Sequence, residues 1–188
     1  MLPPGNDALA IKKNKRRESQ REEAMVAELE QLGVCYLSRQ TPSQPWLFHL
    51  PDEILAALVR QSNSRIRNAI IAVFLVHPEY GQSVPAALHK CRGECRWMLK
   101  IYYTAAYFLQ KKYREELYKY LQPNWLDLPD CYSAEFIPAL YKSAEQNLKL
   151  LGMEHQLRSG KIANWSGTYD QVARHLLHQL ELETQWNQ

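Results

Sequence analysis

The chain has 188 residues and a mass of 22.0 kDa, of which 46% are apolar and 23% are charged. These values suit one globular domain and exclude a largely disordered chain. The formal charge of +3 is far below that of a dedicated nucleic-acid-binding domain. The longest apolar run, 69–76, is much shorter than the roughly 20 residues that cross a bilayer, so we expect no membrane partner.

The cysteines and the first residues both indicate a cytoplasmic protein. Cys35, Cys91, Cys95 and Cys131 do not have the spacing of a disulfide framework, and reduced thiols are expected. Residues 1–10 lack the apolar segment of a secretory leader. We therefore predict a cytoplasmic location and no cofactor.

The N-terminal region divides into an arm and the start of a helical domain. Residues 1–17 are predicted to form a flexible basic arm, because a polar lead is followed by five cationic residues within 12–17. Residues 18–188 are predicted to form a single helical domain. A first helix from about Ser19 should end at Gly33, a residue that favours helix C-termini.

The next segments alternate turn residues with short apolar runs. Two β-prone runs, Val34–Leu37 and Trp46–Leu50, permit a small β-hairpin within 34–50. Pro51 should open a second helix. A third helix, capped by Asn63 or Ser64, should reach Val76, and a fourth should follow Ser83.

Three longer segments complete an all-α prediction. A fifth helix is predicted from Glu94 to Leu121, where Pro123 would stop it. A sixth segment should start at Ser133, be kinked or restarted at Pro138 and end near Gly152 as a C-cap. A seventh helix should start at Thr168. The chain is thus expected to form a compact bundle of about six or seven helices.

The fifth helix carries the most informative pattern in the chain. Seven cationic and phenolic residues recur at steps of three and four, and at roughly 100° per residue they fall within about 80° of one another. We call this set the Arg96–Tyr118 stripe, and it consists of Arg96, Lys100, Tyr103, Tyr107, Lys111, Arg114 and Tyr118. The opposite face, with Tyr102, Ala105 and Leu109, should pack into the core.

The stripe permits three interpretations. Its exposed Tyr and basic side chains could bind a protein partner or a second copy of the chain, which would make a homodimer. Its cations could instead contact phosphates while Tyr103 and Tyr107 stack on bases. The third interpretation is packing under a neighbouring helix, with the cations of the stripe at its solvated edge.

Sequence-specific DNA reading finds little support elsewhere in the chain. The segment 65–90 resembles the first two helices of winged-helix proteins, which implies that a helix near Val84 would approach DNA. The residues 84–88 are almost wholly apolar, however, and a recognition helix needs polar side chains near its start.

A metal site and an enzyme are the remaining alternatives. His89, Cys91 and Cys95 are weak candidates for metal ligands, because two thiols four residues apart share a face when both lie on one helix. His178 and Glu181 on the last helix form an acid–base pair without a nucleophile in view. No phosphate-binding loop, dinucleotide fingerprint or nucleophile elbow occurs in the sequence.

The sequence therefore favours a non-enzymatic helical module that binds a macromolecular partner through the Arg96–Tyr118 stripe. A protein partner or self-association is the first expectation. A nucleic-acid-binding protein that uses the same face is the alternative, and a metal-dependent enzyme is the second alternative.

Overall fold

The computed structural model describes residues 6–37, 50–123 and 125–186, with side chains from Glu18 onward in the first helix. Within these ranges the fold is all-α and contains no strand, so the all-α prediction is confirmed. The helices are α1 (Asn6–Gln31), α2 (Pro51–Val59), α3 (Ser64–Asn68), α4 (Ile70–Val76), α5 (Val84–Lys90), α6 (Glu94–Lys112), α7 (Arg114–Leu121), α8 (Ser133–Phe136), α9 (Ala144–Ser159) and α10 (Trp165–Trp186), with a 3-10 helix at Pro78–Ser83.

The N-terminal predictions have mixed outcomes. Helix α1 begins at Asn6 and so extends through most of the segment predicted as an arm, 1–17, of which residues 1–5 lie outside the described part. The hairpin within 34–50 falls mainly on residues 38–49, which also lie outside it. The first β-prone run, Val34–Leu37, forms no strand, and its last two residues lie in a turn.

The end of α1 is fixed from the opposite end of the chain. Gly33 has the positive φ of 74° expected of a residue that ends a helix. The buried amide of Gln179 on α10 donates to the Gly33 carbonyl at 2.9 Å and accepts from the backbone N–H of Cys35 at 2.8 Å and of Tyr36 at 3.1 Å. One side chain thereby satisfies three backbone groups that no helix satisfies.

Helix α6 forms the centre of the molecule. It contacts α2, α4, α9 and α10, and all ten residues of 101–110 are buried. The middle of this helix therefore has no solvated face, which matches the packing interpretation of the Arg96–Tyr118 stripe there. A helix surrounded on all sides needs apolar area in every direction, and Tyr rings provide that area where their hydroxyls find partners.

The predicted fifth helix is also interrupted. Helix α6 ends at Lys112, and Tyr113 has φ −109° and ψ 30° before α7 begins at Arg114. The prediction of one helix from Glu94 to Leu121 is wrong at Tyr113, whose hydroxyl donates to Asp170 of α10 at 2.7 Å. The residues 114–118 therefore belong to a second helix.

Two further helix boundaries differ from the sequence prediction. Helix α9 continues past Gly152 to Ser159, and Gly160 with φ 64° is its true C-cap. Gly152 instead allows close packing, because a Cβ there would lie 2.8 Å from the backbone nitrogen of Ser166. Helix α10 begins at Trp165, three residues before the predicted start at Thr168.

Candidate binding surfaces

The two central tyrosines of the Arg96–Tyr118 stripe are core residues. Tyr103 is 1% exposed, donates from its hydroxyl to the Pro129 carbonyl at 2.8 Å and lies edge-on to Phe74 at 5.2 Å. Tyr107 is 8% exposed and packs against Phe108. Neither ring has a free face for stacking on a base, so their placement matches the packing interpretation.

Most cations of the stripe have partners within the chain. Lys100 pairs with Glu135 at 2.5 Å, and Arg96 donates to the Leu88 carbonyl at 2.8 Å. Lys111 donates to the Tyr107 hydroxyl, with its ammonium 4.3 Å from the centre of that ring. These side chains lie at the edges of a buried helix, which is the arrangement of long cationic side chains that cover apolar surface.

The last two stripe residues belong to an exposed patch on α7. We define the α7 patch as Arg114, Tyr118, Trp125 and Leu126. Tyr118 and Leu126 are each 46% exposed, and the Tyr118 and Trp125 rings meet edge-to-face at 5.6 Å. Arg114 lies over the Trp125 ring at 5.8 Å. The sequence analysis missed Trp125 and Leu126, because they follow α7 in a segment without helical periodicity.

Hydrogen bonds hold the α7 patch in shape. Asp127 accepts from both terminal nitrogens of Arg114, at 2.9 and 3.3 Å, and from the indole N–H of Trp125 at 3.1 Å. The buried Gln110 donates to the Leu126 carbonyl at 2.8 Å. Asp127 therefore fixes the positions of the Arg114 guanidinium and the Trp125 indole relative to each other.

A second surface lies between the end of α6 and the segment that enters α9. It is a hollow of about 380 Å³, which we call the basic hollow. Three lysines reach it, namely Lys111, Lys112 and Lys142, together with Tyr107 and Tyr141 among its other lining residues. Only Tyr107 and Lys111 belong to the Arg96–Tyr118 stripe, and no periodic signal links them to residues 140–147.

Helix α10 is tied to the α6–α7 junction by Asp170. This carboxylate accepts from Lys112 at 2.6 Å, from Tyr113 at 2.7 Å and from Arg174 at 2.8 Å. Burial opposes its ionisation, but the three hydrogen bonds outweigh burial and hold the pKa of Asp170 below its ordinary value. Asp170 is thus a charged anchor and uses the ammonium of Lys112 as its partner.

His155 of α9 lies in an aromatic enclosure that the sequence did not predict. It is 1% exposed, its Nδ1 lies 2.6 Å from the Tyr169 hydroxyl, and its ring stacks on Trp165 at 3.7 Å. Burial, with Arg67 and Lys161 as nearby positive charges, lowers its pKa to about 4. The imidazole is therefore neutral at pH 7 and contributes to the core.

The weak metal candidates do not assemble into a site. Within the described residues no group of three or more His, Cys, Asp or Glu side chains could hold a metal ion. Cys91 is buried and precedes Gly93, whereas Cys95 lies in α6, so the two thiols do not share one helix as expected. Burial raises the pKa of the Cys91 thiol, which disfavours the thiolate that binds metal.

The acid–base pair on the last helix is open to solvent. His178 and Glu181 are 3.9 Å apart and their side chains are 71% and 55% exposed. His175 is exposed as well, and its ring lies 5.6 Å from that of Tyr36. General-base chemistry depends on a shielded and positioned group, and this pair is neither.

No protein-family model, curated protein or solved structure matches this chain. No helix in the part of the chain that the structure describes combines the length and apolar character needed to cross a membrane.

Proposed function

We propose that this chain is a non-enzymatic, cytoplasmic helical protein whose role is to bind a protein partner through the α7 patch. The composition of the patch supports the proposal. Trp, Tyr and Arg are the residues that dominate binding energy at protein interfaces, and here they lie side by side with the half-exposed Leu126. The four free cysteines are in keeping with a reducing compartment.

The charge arrangement favours a protein over a nucleic acid. Asp127 already pairs with Arg114, and Glu135 already pairs with Lys100. A phosphate backbone would have to compete with these carboxylates, and stacking would have to proceed without Tyr103 and Tyr107. A protein partner need not displace these carboxylates or stack on buried rings, because covering Tyr118 and Leu126 supplies the free energy of binding.

The experiment compares three forms of the purified, immobilised chain as bait. The patch variant carries Tyr118→Ser and Leu126→Ser. The control variant carries Met153→Ser and Leu157→Ser, which remove two apolar side chains that are 62% and 76% exposed on α9. Proteins retained from a cell extract are identified, and each is then purified and bound again to the three forms.

We expect at least one purified protein to bind the wild type and the control variant with equal affinity and the patch variant at least tenfold more weakly. Self-association is tested as well, by measuring the oligomeric state of the three forms by analytical ultracentrifugation. The proposal is refuted if no protein or second copy distinguishes the patch variant from the wild type.

A further inference from the structure

The basic hollow combines two unneutralised ammonium groups with an apolar rim. Lys112 is paired with Asp170 at 2.6 Å, and the one acidic lining residue, Glu145, is paired with Lys149 at 3.1 Å. Within the described residues, Lys111 and Lys142 make no ion pair with a carboxylate. Lys111 contacts only the Tyr107 phenol, so the hollow presents a net positive charge that no carboxylate of the described residues neutralises.

The rim adds apolar area next to these charges. Leu140 is 49% exposed and Tyr141 is 55% exposed, and both line the hollow. Two adjoining side chains of this size, open to solvent beside two lysines, can take up an apolar group and an anionic group from one ligand. A free inorganic anion would use the lysines and leave the rim uncovered.

The rim is also fixed in position. Asn147, which is 3% exposed, accepts from the Tyr141 N–H at 2.8 Å and donates to the Tyr141 carbonyl at 2.8 Å. These two hydrogen bonds imitate the pairing of a β-ladder and hold an irregular segment against α9. The volume of about 380 Å³ lies at the lower end of the roughly 300–1,000 Å³ typical of ligand-binding clefts, which is enough for a few side-chain groups of a bound segment.

We propose that the basic hollow binds an acidic peptide segment, with carboxylates on Lys111 and Lys142 and a neighbouring apolar side chain on Leu140 and Tyr141. The inference rests on the proposed function, because it names the chemistry of a segment that a protein partner would present. Charge complementarity selects the acidic side chains, and the apolar rim selects a peptide over a small anion.

The test selects ligands from a random library of nine-residue peptides displayed on phage. The bait is the full chain as wild type, as the double variant Lys111→Gln with Lys142→Gln, or as a control with Arg92→Gln and Lys161→Gln. The control makes the same change in charge at two exposed residues outside the hollow. Selected peptides are then synthesised, and their affinity is measured by fluorescence anisotropy.

We expect the wild type and the control to select peptides enriched in Asp and Glu. The affinity of such a peptide should fall at least tenfold in the hollow variant, less than twofold in the control, and at least tenfold when its acidic residues are replaced by Asn and Gln. Absence of acidic enrichment, or equal affinity for the hollow variant and the wild type, overturns the inference.

Two further arms separate the alternatives. The double variant Leu140→Ser with Tyr141→Ser should bind the peptide at least fivefold more weakly. If its affinity is unchanged and millimolar inorganic phosphate displaces the peptide, the hollow is a simple anion site and the peptide assignment is overturned. The patch variant Tyr118→Ser with Leu126→Ser should bind the peptide normally. If the hollow does not bind acidic peptides, capture of proteins by the α7 patch is unaffected. If the α7 patch does not bind a protein partner, only the capture experiment shows it.

Discussion

At the scale of the residue, the chain uses tyrosine and histidine as core material. Tyr102, Tyr103 and Tyr169 are among the largest fully buried side chains, and each hydroxyl has a hydrogen-bond partner. A phenol with its oxygen satisfied contributes a large apolar ring without leaving a buried polar atom unpaired. His155 completes the same cluster as a neutral ring, and its neutrality depends on pH.

His155 should make the fold sensitive to mild acid. Its pKa is about 4 in the folded chain and about 6.5 when unfolded, so the unfolded state binds the proton more readily. The stability contributed by the neutral ring is complete above pH 6.5 and is lost as the pH falls toward 4. Between pH 7 and pH 4.5 we expect this residue to account for a loss of about 2–3 kcal/mol.

The free energy of unfolding is measured by urea denaturation, monitored by tryptophan fluorescence, for the wild type and for His155→Gln at both pH values. Glutamine keeps a polar group near Tyr169 but does not titrate, so the variant should be less stable by about 1–3 kcal/mol at pH 7 and should lack the His155 part of the acid-induced loss. Equal acid-induced losses in the two proteins would contradict the assignment of the titrating group.

At the scale of the element, single polar side chains tie helix ends to distant parts of the chain. The break at Tyr113 has no glycine or proline, and the Tyr113 hydroxyl donates to Asp170, which lies 57 residues further along the chain. The anchor joins the α6–α7 junction to α10 through one carboxylate. Arg114 and Tyr118 therefore belong to α7 rather than continuing the face of α6.

A double-mutant cycle tests the coupling between Tyr113 and Asp170. We expect Tyr113→Phe and Asp170→Asn each to destabilise the fold, and the double variant to lose less than the sum by about 1–2 kcal/mol, because the hydrogen bond is removed only once. The free energy of unfolding is measured by urea denaturation for the wild type, the two single variants and the double variant. A control cycle combines Tyr113→Phe with Glu154→Gln, since Glu154 pairs with Arg158 on α9 and has no bond to Tyr113. The effects of these two substitutions should be additive.

The helix boundaries show what the sequence can and cannot predict. Pro51 opens α2 and Asn63 caps α3 by accepting from Arg65 N–H, both as predicted, because their effects are local. Gly152 looks like a C-cap but serves the close approach of Ser166, and only tertiary structure distinguishes those uses of glycine. The Arg96–Tyr118 stripe was found by periodicity, but periodicity could not show which of its sides the other helices would cover.

At the scale of the whole molecule, the net charge is only +3, and many cationic side chains are paired with carboxylates of the same chain. Lys100, Lys112 and Arg114 each have a carboxylate partner. Lys111 and Lys142, which line the basic hollow, have no carboxylate partner among the described residues. This net charge is well below that typical of a dedicated nucleic-acid-binding domain.

Binding to oligonucleotides should accordingly be weak. With labelled single- and double-stranded oligonucleotides, we expect the logarithm of the association constant to change with the logarithm of salt concentration by a slope smaller than about 2 in magnitude, which corresponds to at most about two phosphate contacts. The triple variant Lys100→Glu, Lys111→Glu and Arg114→Glu should alter this little. Tight, steeply salt-dependent binding that the folded triple variant loses would instead favour the nucleic-acid alternative.

The two hydrogen bonds between Asn147 and Tyr141 have a kinetic consequence. A ligand that reaches the basic hollow meets a wall already in its final shape, so no loop has to be ordered during the encounter. Arrival is then governed by diffusion and by the attraction of the lysines, which differ little from one acidic ligand to the next. Competing ligands would be sorted chiefly by how long each remains bound, a lifetime set by its contacts with Leu140 and Tyr141.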